Sequence, residues 1–268
     1  MRVPWIADVL RGAGLTVVET PGWRGRGKEL TSVDGVMVHH TASHPASTLA
    51  TNLTVVTNGN AVAPGPIAQV MFWRDGVAYI IADGRANHAG AGGPWGGWLP
   101  EGQGNHRLIG FECVNSGTGE PWATEMVVAM EIGSAAVLRY LGHDASRCLF
   151  HHEYAPTRKI DPAGPNTRIA LRPGDRSMRW VGDSFRARVT SWLEPAPPPP
   201  IPEEDDDMGV IITNAEEFFG GPPGQAKFLL LEDGKLRWIK TIEEWAARGS
   251  KPGIPWTNAQ IATAGVAG

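Results

Sequence analysis

A proline run cuts this chain in two. In Glu194-Pro195-Ala196-Pro197-Pro198-Pro199-Pro200-Ile201-Pro202 most residues lack a backbone N–H and have a fixed φ. Such a run enters neither a helix interior nor a central strand, and it holds an extended form that acts as a spacer. The block Glu203-Glu204-Asp205-Asp206-Asp207 follows directly, repels itself and stays solvated. The expected organisation is a main domain over residues 1–194, a linker over 195–207 and a small module over 208–268. The first part has ordinary domain size, and the last is marginal for folding alone.

Of the 268 residues, 42% are hydrophobic and 19% charged, so the chain can bury a real core. The net charge is −4 and no basic block stands out, which argues against nucleic acid as a partner. No apolar stretch approaches the length of a membrane span, so membrane insertion is not expected. Asp8 and Arg11 interrupt the apolar N-terminus, so the expectation is synthesis in a cytoplasm without a signal peptide. Cys113 and Cys148 lie in separate apolar contexts and read as buried free thiols. Eleven tryptophans are many; each is either core or a surface for glycan contact.

The main domain reads as α/β, a mixed central β-sheet flanked by helices. Trp5 to Gly12 has helical spacing, and Leu15 to Val18 is β-like. Gly35 to His39 reads as a buried strand that delivers a histidine at its end. Ile67 to Trp73 is another strand, turned by Arg74-Asp75-Gly76 into Val77 to Ile81. Leu108 to Val114 is a further strand. Thr124 is placed to cap a helix running to about Tyr140, with Gly142 as its stop. Val181 to Trp192 forms the last helix before the linker.

Three sites in this frame carry chemistry. His39 and His40 end the first buried strand, and because strand residues alternate faces, only one of them can serve a given site. His151 follows the apolar Cys148-Leu149-Phe150, and Asp161 comes ten positions later in a loop bounded by Pro156 and Pro162. Two histidines and one carboxylate, with a fourth position open, suit a catalytic zinc. Lys159 lies two residues before Asp161, where it can stabilise developing negative charge. Glu112 sits inside an apolar strand, a costly position unless the carboxylate is ion-paired with an arginine or functional. A buried carboxylate of this kind is suited to proton transfer. Gly84-Arg85-Ala86-Asn87-His88-Ala89-Gly90 and Gly102-Gln103-Gly104-Asn105 are small-residue loops that could let a substrate approach.

Together these motifs resemble the zinc-dependent N-acetylmuramoyl-L-alanine amidases of the type 2 amidase and peptidoglycan-recognition superfamily. The resemblance covers roughly residues 30–170 and runs through five ordered segments. Val38-His39-His40-Thr41 resembles the first-ligand strand, Arg74-Asp75-Gly76 the family hairpin and Asn87-His88-Ala89-Gly90 the substrate-groove loop. Ile109-Gly110-Phe111-Glu112 resembles the strand with a catalytic Glu, and His151 to Asp161 the loop with the last ligand. The resemblance implies His39, His151 and Asp161 as zinc ligands, Lys159 as oxyanion stabiliser and Glu112 as base. It further implies substrate contacts from His40, Asn87, His88 and Asn105. Two positions depart from the pattern. No Tyr stands in Ile67-Ala68-Gln69-Val70, where some phage amidases carry a catalytic one, and Thr157 replaces a usual Gly.

A catalytic domain, proline linker and short module in that order resemble endolysins of phages that infect actinobacteria. The implied partner is bacterial peptidoglycan, reached after release from the cytoplasm, with residues 208–268 as a cell-wall-binding module. Two neighbouring readings share the fold: a peptidoglycan-recognition protein that does not cleave, and an amidase that recycles soluble muropeptides. A metal nuclease using His151, His152 and Asn166 is disfavoured by the acidic charge balance. In the last module, Phe228 to Ile239 reads as a hairpin turned at Asp233-Gly234, followed by a helix through Glu244. Trp238, Trp245 and Trp256 are candidates for its small core or for a glycan-facing surface.

Overall fold

The computed structural model describes residues 1–193, 228–232 and 235–239. The chain falls into two units, Met1–Pro195 and Ala196–Gly268. The first contains helices α1 (Ile6–Gly12), α2 (Leu49–Asn58), α3 (Gly104–Arg107), α4 (Thr124–Leu141), α5 (His151–Tyr154) and α6 (Gly182–Leu193). Its strands are β1 (Val17–Glu19), β2 (Gly35–His40), β3 (Val70–Phe72), β4 (Ala78–Ile80), β5 (Leu108–Cys113) and β6 (Cys148–Phe150). The second unit is described at β7 (Phe228–Glu232) and β8 (Lys235–Ile239), an antiparallel pair in which Glu232 is in register with Lys235. The helix expected through Glu244 lies outside the described residues, as do Trp245 and Trp256.

The six strands form one mixed sheet in the order β1-β4-β3-β5-β2-β6. Only the β3–β4 pair is antiparallel; it is the hairpin that Arg74-Asp75-Gly76 turns, with Gly76 at a φ of 84°. The parallel strands at the centre, β5 and β2, are buried along their whole length. Buried parallel strands carry apolar residues on both faces, which is why Val36 to Val38 and Leu108 to Phe111 are nearly continuous apolar runs.

The two faces have different tasks. Val36, Val38, Val70, Phe72, Ile109, Phe111, Cys148 and Phe150 point into the main core. That core is closed by α1, α4 and α6, which also contact one another through α4. Phe72 and Phe111 meet edge to face at 5.2 Å, and truncating either would cost about 3–5 kcal/mol. The opposite face carries Met37, Leu108 and Leu149 in one small cluster and Met71 and Val114 in another. His39 and Glu112 stand on that second face.

Several local expectations shift. The N-cap of α4 is Ala123, which makes no side-chain cap bond, so Thr124 is the first helical residue and not its cap. The chain before it is held by Trp122, whose indole donates to the Ala163 carbonyl at 2.9 Å. The stop at Gly142 has the left-handed geometry that favours glycine, φ 71° and ψ 30°. His151 does not open a plain loop; it begins a single helical turn, α5, with the Phe150 N–H donating to Glu153 Oε2. Cys113 and Cys148 are buried free thiols. Trp23, Trp122 and Trp180 are core residues, whereas Trp192 is 39% exposed.

Candidate metal centre and its surroundings

The end of β2 delivers His39 with 1% of its surface exposed. The end of β6 delivers His151, with 2% exposed, on the adjacent strand. Asp161 returns to the same point because the His152 N–H donates to the Asp161 carbonyl at 2.9 Å and closes the intervening loop. Three side-chain atoms therefore converge. His39 Nδ1 lies 2.8 Å from His151 Nδ1 and 3.1 Å from Asp161 Oδ2, and His151 Nδ1 lies 2.9 Å from Asp161 Oδ2.

Their donor set fits a zinc ion. Donors bound to one tetrahedral zinc at about 2.0–2.1 Å stand about 3.3 Å apart, so the three atoms need to move outward by roughly half an ångström or less. His151 Nε2 donates to the Ala89 carbonyl at 2.8 Å, which leaves the Nδ1 lone pair of a neutral ring free to ligate. Burial pushes the His39 imidazole down to about 4, with the neighbouring His151 adding to it, so His39 is held neutral as a ligand must be.

Glu112 lies beside this cluster on β5, in register with His39. It is 7% exposed, and its Oε2 is buried with no hydrogen-bond partner. Among the described residues it forms no ion pair, so the arginine partner considered from sequence is not there. Burial first, and then the charge of Asp161, raise its pKa well above the ordinary carboxylate value, while Lys159 draws it back. Lys159 is half-buried, and among the described residues its ammonium makes no hydrogen bond or ion pair. A carboxyl able to exchange a proton and an uncommitted cation thus flank three gathered ligand atoms.

The other residues singled out from sequence fall in different places. His40 points to the opposite face from His39, 8% exposed, and its Nδ1 accepts from the Ala163 N–H at 3.2 Å. Asn87 donates to the Pro64 carbonyl at 2.8 Å. Asn105 Oδ1 accepts from the Ala89 N–H at 2.7 Å. His88 is 6% exposed and lies against His39, not on an open wall. His152 turns away from the cluster: its Nε2 donates to the Trp180 carbonyl at 3.0 Å.

Comparison with known proteins agrees with the sequence motifs. A family profile described as N-acetylmuramoyl-L-alanine amidase matches residues 29–164. No curated protein matches the chain. Among solved structures, a selenomethionine derivative of AmpD is 21% identical with a TM-score of 0.45, over 66% of this chain and 94% of that one. The catalytic domain of XlyA is 17% identical with a TM-score of 0.44, over 65% of this chain and 99% of that one. The Staphylococcus aureus hydrolase AmiA, in complex with its ligand, is 18% identical with a TM-score of 0.45, over 70% of this chain and 89% of that one.

Proposed function

We propose that this chain, which belongs to the N-acetylmuramoyl-L-alanine amidase family, is a zinc-dependent peptidoglycan hydrolase of the endolysin type. It cleaves the amide between the lactyl group of N-acetylmuramic acid and L-alanine of the stem peptide. The observation that carries this reading is the convergence of His39, His151 and Asp161 beside an unpaired buried Glu112. Residues that hold a metal for structure alone have no need of a proton-exchanging carboxyl next to them.

In this reading His39 Nδ1, His151 Nδ1 and Asp161 Oδ2 hold the ion. When bound, zinc supplies a Lewis acid that polarises the scissile carbonyl and lowers the pKa of water. Glu112 takes a proton from the attacking water at its carboxylate and later gives it to the leaving amine. The Lys159 ammonium stabilises the carbonyl oxygen as negative charge builds on it. Burial of the cluster excludes bulk water and strengthens each of these interactions.

A role on the insoluble polymer, in preference to the recycling of soluble muropeptides, is supported by the proline run and the further unit behind it. A tethered second module raises the effective concentration of enzyme at a surface. Release of the enzyme from the cytoplasm onto the wall belongs to the same proposal. The deciding experiment is digestion of purified peptidoglycan with end-group analysis. New L-alanine amino termini without new reducing sugars are expected; new reducing ends alone would make the protein a glycosidase.

A further inference from the structure

We infer that His88 is a positioning residue for the metal centre: it fixes which nitrogen of His39 is free to ligate. The inference rests on reading His39, His151 and Asp161 as a metal site.

The argument follows the protons inward from Leu108. The Leu108 carbonyl, 3.3 Å from His88 Nε2, can only accept, so that nitrogen carries a hydrogen. Among the described residues the other polar neighbour of the His88 ring is His39 Nε2, at 3.0 Å from His88 Nδ1. Among the described residues no carboxylate bonds to the ring, and an imidazolium buried there would lack a counter-charge. His88 is therefore neutral, and its Nδ1 is an acceptor. His39 must then donate from Nε2, which leaves its Nδ1 bare. That bare nitrogen is the atom that faces His151 Nδ1 and Asp161 Oδ2.

The next residue does the same for the second histidine. The Ala89 carbonyl takes the Nε2 hydrogen of His151 at 2.8 Å, so that in the neutral ring a ligand must have, the bare nitrogen is Nδ1. One dipeptide, His88-Ala89, thus orients both imidazoles, the first through its side chain and the second through its backbone. Three acceptor atoms then face one another with no hydrogen between them, an arrangement that a cation relieves. The dipeptide is itself held: Asn105 accepts the Ala89 N–H, and Arg158 donates to the Ala89 carbonyl at 2.7 Å. Gly110 makes room for the ring, since a Cβ there would lie 2.5 Å from His88 Cγ. Groups that orient a metal-binding histidine in this way typically contribute 10- to 100-fold to metal affinity, as an order of magnitude.

The test compares full-length parent, His88→Leu and His88→Asn. Leu keeps much of the volume and removes the acceptor, whereas Asn offers a carbonyl oxygen near the place of Nδ1. Zinc affinity is measured by competition with a chromophoric chelator. His88→Leu should bind zinc roughly 10- to 100-fold more weakly, and His88→Asn should recover most of the loss. Independently, nitrogen-15 spectra of the metal-free parent should show both His39 and His88 protonated on Nε2. Parent-like affinity in His88→Leu, affinity in His88→Asn as weak as in the Leu variant, or a His39 ring protonated on Nδ1 would overturn the inference. If His88→Leu does not fold, the Asn variant and the spectra decide. If the parent binds no zinc, the metal reading fails, and the spectra still judge the proton arrangement on its own.

Discussion

His39 and Glu112 are directly paired across the parallel strands β2 and β5, so a ligand candidate and a base candidate share one sheet face. The pairing places Glu112 next to the candidate metal centre without making it a member of the converging cluster. Glu112→Gln keeps the size of the side chain but removes the base. It should lower kcat by about 10²-fold or more while bound zinc stays stoichiometric. Lys159→Met should cost a similar factor through the lost charge. Near-normal turnover in Glu112→Gln, measured beside metal content, would assign the base role elsewhere.

Removing a ligand should act differently. His151→Ala should lose zinc and activity together, and chelation of the parent should abolish turnover until zinc is restored. Elemental analysis of the purified variant checks this, because full occupancy would mean that His151 is not a ligand.

A stability prediction comes from the far side of the sheet. Glu131 on α4 is fully buried and receives two bonds from Arg168, at 2.9 and 2.6 Å, and one from the Trp192 indole at 3.0 Å. Arg168→Leu strands that carboxylate, a loss of about 3 kcal/mol. The Tm should fall by roughly 6–12 °C in a domain of this size. Calorimetry that shows no change would mean that Glu131 finds another partner or a proton at little cost.

Acid should weaken the fold through His152. Burial, reinforced by the Arg172 guanidinium, pushes its imidazole down to about 4 from an ordinary 6.5. The unfolded chain therefore binds more protons between those two values, so stability is full above the upper one and falls as pH drops through the window. The contribution is on the order of 3 kcal/mol. His152→Gln should flatten this part of the profile when both proteins are unfolded in urea with chelator present. Parallel profiles would show that His152 is not held neutral.

The proline run should divide the labour. A chain ending at Glu194 should fold, keep zinc and hydrolyse small soluble muropeptides at the full-length rate. On intact walls it should be slower, because the tether is gone. Equal wall lysis at low enzyme concentration would rule out an anchoring role for residues 208–268, and failure to fold would move the domain boundary.

Features set by short-range pattern were legible in the sequence. The apolar run ending in His39, the Arg74-Asp75-Gly76 turn and the Gly142 stop each carry their own local cause. Helix α2 was not, because Leu49–Asn58 is rich in Thr and Val and buries only Asn52 and Val56. Its one clear signal is Thr48, whose hydroxyl accepts from the Thr51 N–H. The gathering of His39, His151 and Asp161 could be expected from residue type and order. The place of His88 could not, since it depends on a contact across 49 positions and on space left by Gly110.

The division of the sheet into a packing face and a chemical face has a consequence for insertions and deletions. Alternation gives β2 and β5 a reading frame of two residues. One codon gained between Gly35 and His39 would turn His39 into the helix-side core and carry the apolar Val38 to its place beside His151 and Asp161. The same slip in β5 would bury Glu112 among Phe72 and Met130. Substitution can be absorbed at many positions of these strands, but a change of length by one residue strikes core and chemistry together.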